Sequence, residues 1–444
     1  MFYHDDKQQS FVETSLKNRG KHRSSVADKH LVSNEATAAA AAVEVEGGAN
    51  FNIMATSSKF TVFGITVSSI IIVIISCFLF NTNASETTAS SLRLVVAVFR
   101  HGERTPASTY PNDPHINNEF FPMGWGALTN EGKKNQYEIG KLLRTRYKSF
   151  LSDIYSPKHV VAQSTDVDRT KMSMQLVLAA LFPPTEAQKW NNDLNWQPIP
   201  FKYEPLDQDK LLLVNIPCPR YYEALQEVVE REEVKTLIKQ NEQIYELLTN
   251  KSGMEVKTFN DLLSMQGTLK AETDLNLKLP NWTEKVFPEP LNQLAGKAFT
   301  LNAYTPELRR IKGGPLLKDI LTHMIDKIKK PTHKKEQLYL YAGHDSTIAH
   351  LLNALGVWEQ HAPEYNALIL LELHELKRDD PHVIKVFFRK SKVHRLEELT
   401  PFGCEKICTL NEILRLKKDV LPDDLMKDCM PKDPKYVPPK APEI

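Results

Sequence analysis

Little separates the charge of this chain from zero: 56 Lys and Arg stand against 55 Asp and Glu, a formal net charge of +1 over 444 residues. That balance removes the electrostatic case for a nucleic-acid partner, because such binders carry a basic face. Cysteine is sparse, five in all, with no C-x-x-C pair and so no zinc ribbon or thioredoxin-type motif. Neither H-E-x-x-H nor H-x-H occurs, and no metal site is expected. Gly at 17 and Pro at 27 are ordinary, which excludes a fibrous or wholly disordered chain. No internal repeat is present, and a single apolar run is long enough to cross a bilayer.

That run is Phe60–Phe80, 21 residues without a charge, with Lys59 directly before it. Residues 1–58 are polar and read as a disordered tail, 59–81 as a transmembrane helix or signal-anchor, and 82–91 as a stalk. A retained anchor would make a single-pass membrane protein with a cytoplasmic amino terminus, since no Lys or Arg follows the run until Arg93. Alternatively Met54 opens a signal peptide that ends in the small residues Thr82-Asn83-Ala84, with cleavage after Ala84 and secretion. Both readings put everything after residue 81 on the lumenal or extracellular side, with the lysosome one permitted destination. The three N-x-S/T sequons, at Asn83, Asn250 and Asn281, all follow the run and are candidate glycosylation sites. Cys77 lies within the run, which leaves Cys218, Cys404, Cys408 and Cys429. Four cysteines allow three pairings; the short Cys404–Cys408 loop is one candidate and leaves Cys218 with Cys429, whereas four buried thiols are the alternative.

From residue 92 the pattern is that of an α/β protein. The strand Leu92–Phe99 runs into Arg100-His101-Gly102-Glu103-Arg104-Thr105-Pro106, where Gly permits close approach and Pro stops further pairing. A helix follows from Thr129 to about Leu151, with Ile139, Leu142, Leu143, Tyr147 and Phe150 at helical spacing. Lys158–Gln163 reads as a strand leading to S-T-D-V-D-R-T at 164–170 and a helix through Leu181, with Ser164, Thr165 or Asp166 as its cap and Arg169 in its first turn. Residues 196–330 are mostly helical in period, clearest at Tyr221–Leu248 and Phe259–Thr268, and read as a largely α cap. Strands return at Gln337–Ala342, which ends in Gly343-His344-Asp345 before a helix, and at Asn366–Glu372 and Val383–Arg389, a candidate hairpin through 377–381. Residues 433–444 form a Pro- and Lys-rich tail.

In open α/β sheets, ligands bind beyond the carboxyl ends of strands. Three such ends carry Arg100, His101 and Arg104; Arg169; and His344 with Asp345. If they converge, three fixed cations, two imidazoles and one carboxylic acid share a site. Taken singly, each has a plainer reading: a basic surface turn, a helix start compensated by Asp166 and Asp168, and a helix-capping Asp beside a surface His. Together they suit phosphoryl transfer. Planar guanidiniums bind the equatorial oxygens two at a time, an imidazole can attack phosphorus, and a carboxylic acid can protonate the leaving oxygen. The arginines supply the countercharge, so no cofactor is called for, and they would repel a metal ion. Arg144, near the packing stripe of its helix, would add to the site if it turned inward.

Arg-His-Gly-x-Arg-x-Pro after a strand, S-T-D-V-D-R-T in mid-chain and a later His-Asp resemble the histidine acid phosphatases, in the branch of prostatic, lysosomal and insect venom acid phosphatase-like proteins, over roughly residues 92–430. The resemblance implies an α/β fold of the phosphoglycerate mutase-like kind, spanning 92–432: a mixed central sheet flanked by helices with a smaller, mainly α cap at about 196–330. It implies an acid phosphatase acting on small phosphomonoesters or phosphoproteins through a phosphohistidine. His101 would be the nucleophile, Asp345 the general acid, and Arg100, Arg104, Arg169 and His344 the phosphate ligands. Glu103 occupies the open position of the motif and reads as a solvated or arginine-pairing side chain. Cys218, Cys404, Cys408 and Cys429 match the family's cysteine positions, and a homodimer is allowed. The alternatives are an enzyme of the same fold for inositol polyphosphates or lysophospholipids, and a catalytically idle surface or secreted binding protein.

Overall fold

The computed structural model describes residues 91–439 apart from 334, 377–381, 402 and 406. The tail expected over 1–58, the apolar segment at 59–81, the stalk up to residue 90 with Asn83, and residues 440–444 lie outside the described residues. Among the described residues no helix is long and apolar enough to cross a membrane.

The sheet has the strand order β2-β3-β1-β4-β5-β6, with β1 Leu92–Arg100, β2 Val160–Ser164, β3 Leu338–Gly343, β4 Leu368–Glu375, β5 His382–Arg389 and β6 Glu397–Leu399. It is mixed: β1 and β2 run parallel to β3, and the steps from β1 through β6 are antiparallel. Glu375 pairs with His382, so β4 and β5 are the antiparallel neighbours expected of a hairpin. Strand β1 is apolar on both faces because both are covered. Leu94, Val96 and Val98 enter one core and Val95, Ala97 and Phe99 the other; a bulge between Leu92 and Leu94 lets Leu92 join the second set.

Helices α1 (Asn130–Arg146) and α2 (Asp168–Leu181) cover one face through Ile139, Leu143, Met174 and Leu178. Helix α1 stops at Arg146, short of the expected Leu151: Tyr147 N–H closes on the Leu143 carbonyl, and Arg144 donates to the Leu151 and Ser152 carbonyls at 2.7 and 2.9 Å, which folds the chain into a turn. Helix α2 is preceded by Val167, with no side-chain cap. The three expected caps are otherwise engaged: Ser164 donates to the Thr165 carbonyl, Thr165 bonds Thr170 and His344, and Asp166 pairs with Lys171.

The long helical stretch after residue 218 is three helices, α3 (Pro219–Val229), α4 (Glu232–Gln240) and α5 (Glu242–Ser252), followed by α6 (Phe259–Asp274), α7 (Leu291–Leu301) and α8 (Pro306–Lys312). Tyr221, Val228, Val234 and Leu248 all face one core, so the apolar period runs through the breaks and hides them in the sequence. This helical layer has its own core, tied to the carboxyl-terminal segment by a Cys218–Cys429 disulfide. Cys404 and Cys408 are also bonded. Helix α9 (Gly314–Lys329), expected within the cap, packs on the sheet with α10 (Asp345–Leu355), because Leu317, Ile320 and Leu321 complete the core that holds Val96 and Val98.

One buried contact between layers carries a titration. Glu272 of α6 lies in the interior with Asp113 and Tyr110, and burial, reinforced by the Asp113 charge, pushes its carboxyl up to about 8. From its ordinary value of 4.5 to about 8 the folded chain holds a proton that the unfolded chain releases, so this group removes stability as pH rises through that window. We predict that Glu272→Gln raises Tm near pH 7.5 more than near pH 5. Equal shifts at both pH values, measured by scanning calorimetry, would refute the assignment.

Candidate active site

The sheet register brings the expected residues together. Arg100 is paired with Gly343, and Ser164 with Ala342, so three parallel strands end at one level. His101 N–H donates to the Gly343 carbonyl at 3.0 Å, and Thr165 N–H to the Ala342 carbonyl at 3.2 Å. Beyond these ends His101, His344, Arg169 and Arg100 are buried around a cleft of about 420 Å³ that Arg104 and Asp345 also line. Arg169 Nε donates to His101 Nε2 at 3.3 Å, its Nη2 is 3.5 Å from His344 Nδ1, and Arg100 Nη2 is 2.8 Å from Asp345 Oδ2. The two imidazoles meet edge-on, with ring centroids 5.4 Å apart.

His101 has a defined tautomer. Its Nδ1 is 2.8 Å from the Gly102 carbonyl, which only accepts, so Nδ1 carries the proton and Nε2 carries the lone pair that accepts from Arg169 Nε. Burial, with Arg169 and Arg100 adding repulsion, holds the imidazole well below its ordinary pKa. Helix α1 fixes the carbonyl that orients the ring. Thr129 caps α1 by accepting from Gly132 N–H at 3.0 Å and donates its own N–H to the Glu103 carbonyl at 3.0 Å. Gly102 and Gly132 approach so closely that a Cβ on Gly102 would overlap the Gly132 carbonyl, and one on Gly132 the Glu103 carbonyl.

Glu103 is neither solvated nor paired with an arginine. Its carboxylate accepts from Asn135 at 2.9 Å and Asn366 at 2.8 Å and lies 3.3 Å from Lys392. Asn366, at φ 62°, is bonded in turn by Gln136, which also donates to the Arg100 carbonyl at 3.0 Å. This network braces the turn that carries Tyr365, whose ring lies 4.3 Å from the Arg100 guanidinium carbon. Tyr365 carries no local pattern that ties it to β1, and Asn366, read from the sequence as the first residue of a strand, lies before β4 in a left-handed conformation. Arg144 is not part of the site, being held by the turn after α1.

His344 precedes α10 and Asp345 opens it, so both sit where free N–H groups favour an anion. Ser346 N–H donates to Asp345 Oδ1 at 2.7 Å. Burial opposes ionisation, but the Arg100 charge and the Ser346 N–H hold the Asp345 carboxyl below its usual range. Thr165 Oγ1 accepts from His344 Nε2 at 2.9 Å while Thr170 receives the Thr165 hydroxyl proton, which leaves His344 Nδ1 facing Arg169. Burial first, and Arg169 second, lower His344 to about 3. Arg169 is lowered to about 10 by burial and Arg104, and stays a cation. Two neutral rings and three guanidiniums make a preformed site for a doubly charged oxyanion.

The family model for the histidine phosphatase superfamily, branch 2, matches residues 91–389. This chain belongs to that family. A venom acid phosphatase of Apis mellifera is 38% identical over 339 residues, 76% of this chain and 87% of that protein. Human prostatic acid phosphatase is 35% identical over 348 residues, 77% of this chain and 89% of the relative, and human lysosomal acid phosphatase is 33% identical over 347, covering 77% and 81%. Among solved structures a phytase from Citrobacter braakii superposes with a TM-score of 0.59 at 19% identity, covering 76% of this chain and 99% of its own, a likeness of fold. In this histidine phosphatase the sequons at Asn250 and Asn281 lie at exposed positions, in α5 and in a short turn.

The cationic site predicts its own ligand. Inorganic phosphate should raise Tm, by about 2.7 kcal/mol of stability at one hundred times its Kd. Arg169→Ala should abolish the shift, and a wild-type Tm insensitive to phosphate would contradict an oxyanion site.

Proposed function

We propose that this chain is an acid phosphatase that hydrolyses phosphate monoesters in two steps through a phosphohistidine on His101. The observation that carries this reading is the tautomer of His101, with Nε2 unprotonated and accepting from Arg169, on a cleft that Arg100, Arg104, Arg169 and His344 also line. In the first step Nε2 attacks phosphorus, the P–N bond forms as the P–O ester bond breaks, and Asp345 gives its proton to the departing alkoxide. In the second, Asp345 takes a proton from water, the hydroxide oxygen bonds phosphorus, and the P–N bond breaks to return His101 and release phosphate. The guanidiniums hold the equatorial oxygens throughout.

The pKa directions explain why acid would suit such a site. His101 remains neutral in mild acid because burial and three arginines oppose its protonation. Paired with Arg100, the Asp345 carboxyl is held below its usual range, and a phosphate dianion would compete for Arg100 and add like charge beside it, which favours the protonated acid the first step requires. Acid-form Asp345 is lost as pH rises through its pKa, so the rate falls towards neutrality.

The lumenal or extracellular side is the proposed setting. It is supported by the two disulfides and by sequons that all follow the apolar segment. Secreted and lysosomal destinations and a retained anchor at residues 60–80 all fit that side. A homodimer fits the family.

The test is turnover of a chromogenic aryl phosphate between pH 4 and 7. His101→Ala should remove it. Asp345→Asn should lower kcat about 10²–10⁴-fold for an alkyl phosphate, which needs the proton, and much less for p-nitrophenyl phosphate, and it should flatten the high-pH limb. Activity surviving His101→Ala would overturn the mechanism.

A further inference from the structure

Beyond the phosphate ligands, the same cleft extends between α8, α10 and the segment 209–216, and its charge there is unusual. Lys270 lines it but is matched by Asp274 at 2.6 Å and Glu364 at 3.8 Å. Lys312, the last residue of α8, is not matched. Its Nζ donates to the Val214 carbonyl at 2.9 Å and lies 4.4 Å from the centroid of the Tyr221 ring, and no carboxylate among the described residues forms an ion pair with it. The acidic group nearest in effect, Asp209, is already saturated. Its carboxylate accepts the N–H groups of Leu211, Leu212 and Leu213 at 2.8, 2.8 and 3.2 Å.

The backbone around Lys312 is constrained. Val214 adopts φ 52°, a conformation that a β-branched residue enters only under strain, and its carbonyl is the one Lys312 holds. Leu213 and Asn215 on either side both line the cleft. The same segment is anchored to α10, where Thr347 donates to the Leu212 carbonyl at 2.9 Å. At the other end of the joint, a Cβ on Gly313 would overlap the His350 carbonyl of α10. Lys312 is therefore fixed against the helix whose first residue is Asp345. His350 of that helix lines the same cleft; burial first, and the Lys312 charge second, lower it to about 3, so it stays neutral and does not compete with Lys312. Burial lowers Lys312 itself only to about 8, which leaves it a cation in acid. Asn215, Asn260 and Asn302 line the same part of the cleft and suit hydroxyl groups.

We propose that Lys312 forms a second anion subsite on the leaving-group side, so that the preferred substrate is a phosphate ester of a small hydroxylated alcohol bearing a further anionic group, a carboxylate or a second phosphate. This rests on the phosphatase reading, which places the leaving group beside Asp345. A charge-assisted hydrogen bond to a buried ammonium discriminates by roughly ten- to a hundredfold.

The experiment compares kcat/KM in two substrate pairs near pH 5. One is 3-phosphoglycerate against glycerol 3-phosphate, which differ by a carboxylate; the other is fructose 1,6-bisphosphate against fructose 6-phosphate, which differ by a phosphate. In the wild type at least one ratio should exceed about ten, and the pair that shows it identifies the anion. Lys312→Met should bring that ratio towards one and Lys312→Arg should restore it, with folding of both variants checked by Tm. Wild-type ratios near one in both pairs, or a ratio unchanged by Lys312→Met, would overturn the subsite while leaving the phosphatase intact. Failure to turn over any of the four esters would overturn the phosphatase reading and the subsite with it.

Discussion

Three buried or half-buried guanidiniums gathered at one sheet edge are the constraint on which the rest of the structure depends. Each lowers the proton affinity of the others' neighbours: Arg100, Arg104 and Arg169 all act on both His101 and His344. Such a concentration of like charge is unfavourable until an anion arrives, and the fold must hold it in place meanwhile. It does so with a sheet covered on both faces, three parallel strands ending in register, and helix starts that face the same point. Burial and the same charge hold the His101 imidazole well below its ordinary pKa.

The network behind the site converts this packing into geometry. Glu103, Asn366 and Gln136 link the end of β1 to the approach of β4, and the touching glycines Gly102 and Gly132 seat the His101 turn on the start of α1. None of these residues need touch substrate. Their effect is to set the direction of one carbonyl, that of Gly102, and through it the tautomer and direction of His101. The helical layer contributes in a different way, since Lys312, Tyr221 and the asparagines line the cleft from its side while the strand ends supply Arg100, His101 and His344.

The candidate site was largely legible in the sequence because its residues follow strands: an apolar run that stops at Arg100-His101-Gly102 and another that stops at Gly343-His344-Asp345 signal a shared edge. Five of the six strands were readable for the same reason, whereas β6, three residues with no buried side chain, and the helix boundaries were not. Pro219–Ser252 keeps one apolar face through two breaks, and α2 starts without a cap although three capping residues precede it. Glu103 was misjudged because its partners Asn135 and Asn366 are 32 and 263 positions away.

By itself the sequence determined the α/β alternation, the inventory of arginines, histidines and acid, and their attachment to strand ends, since local apolar patterning fixes which residues terminate a buried strand. Only the tertiary structure decided which neighbours each received. Strand order and register placed Arg169 on His101, the joint between α8 and α9 placed Lys312 on the cleft that Asp345 also lines, and a turn held Arg144 away. The first two depend on contacts between segments 68 and 98 positions apart, on which local pattern carries no information.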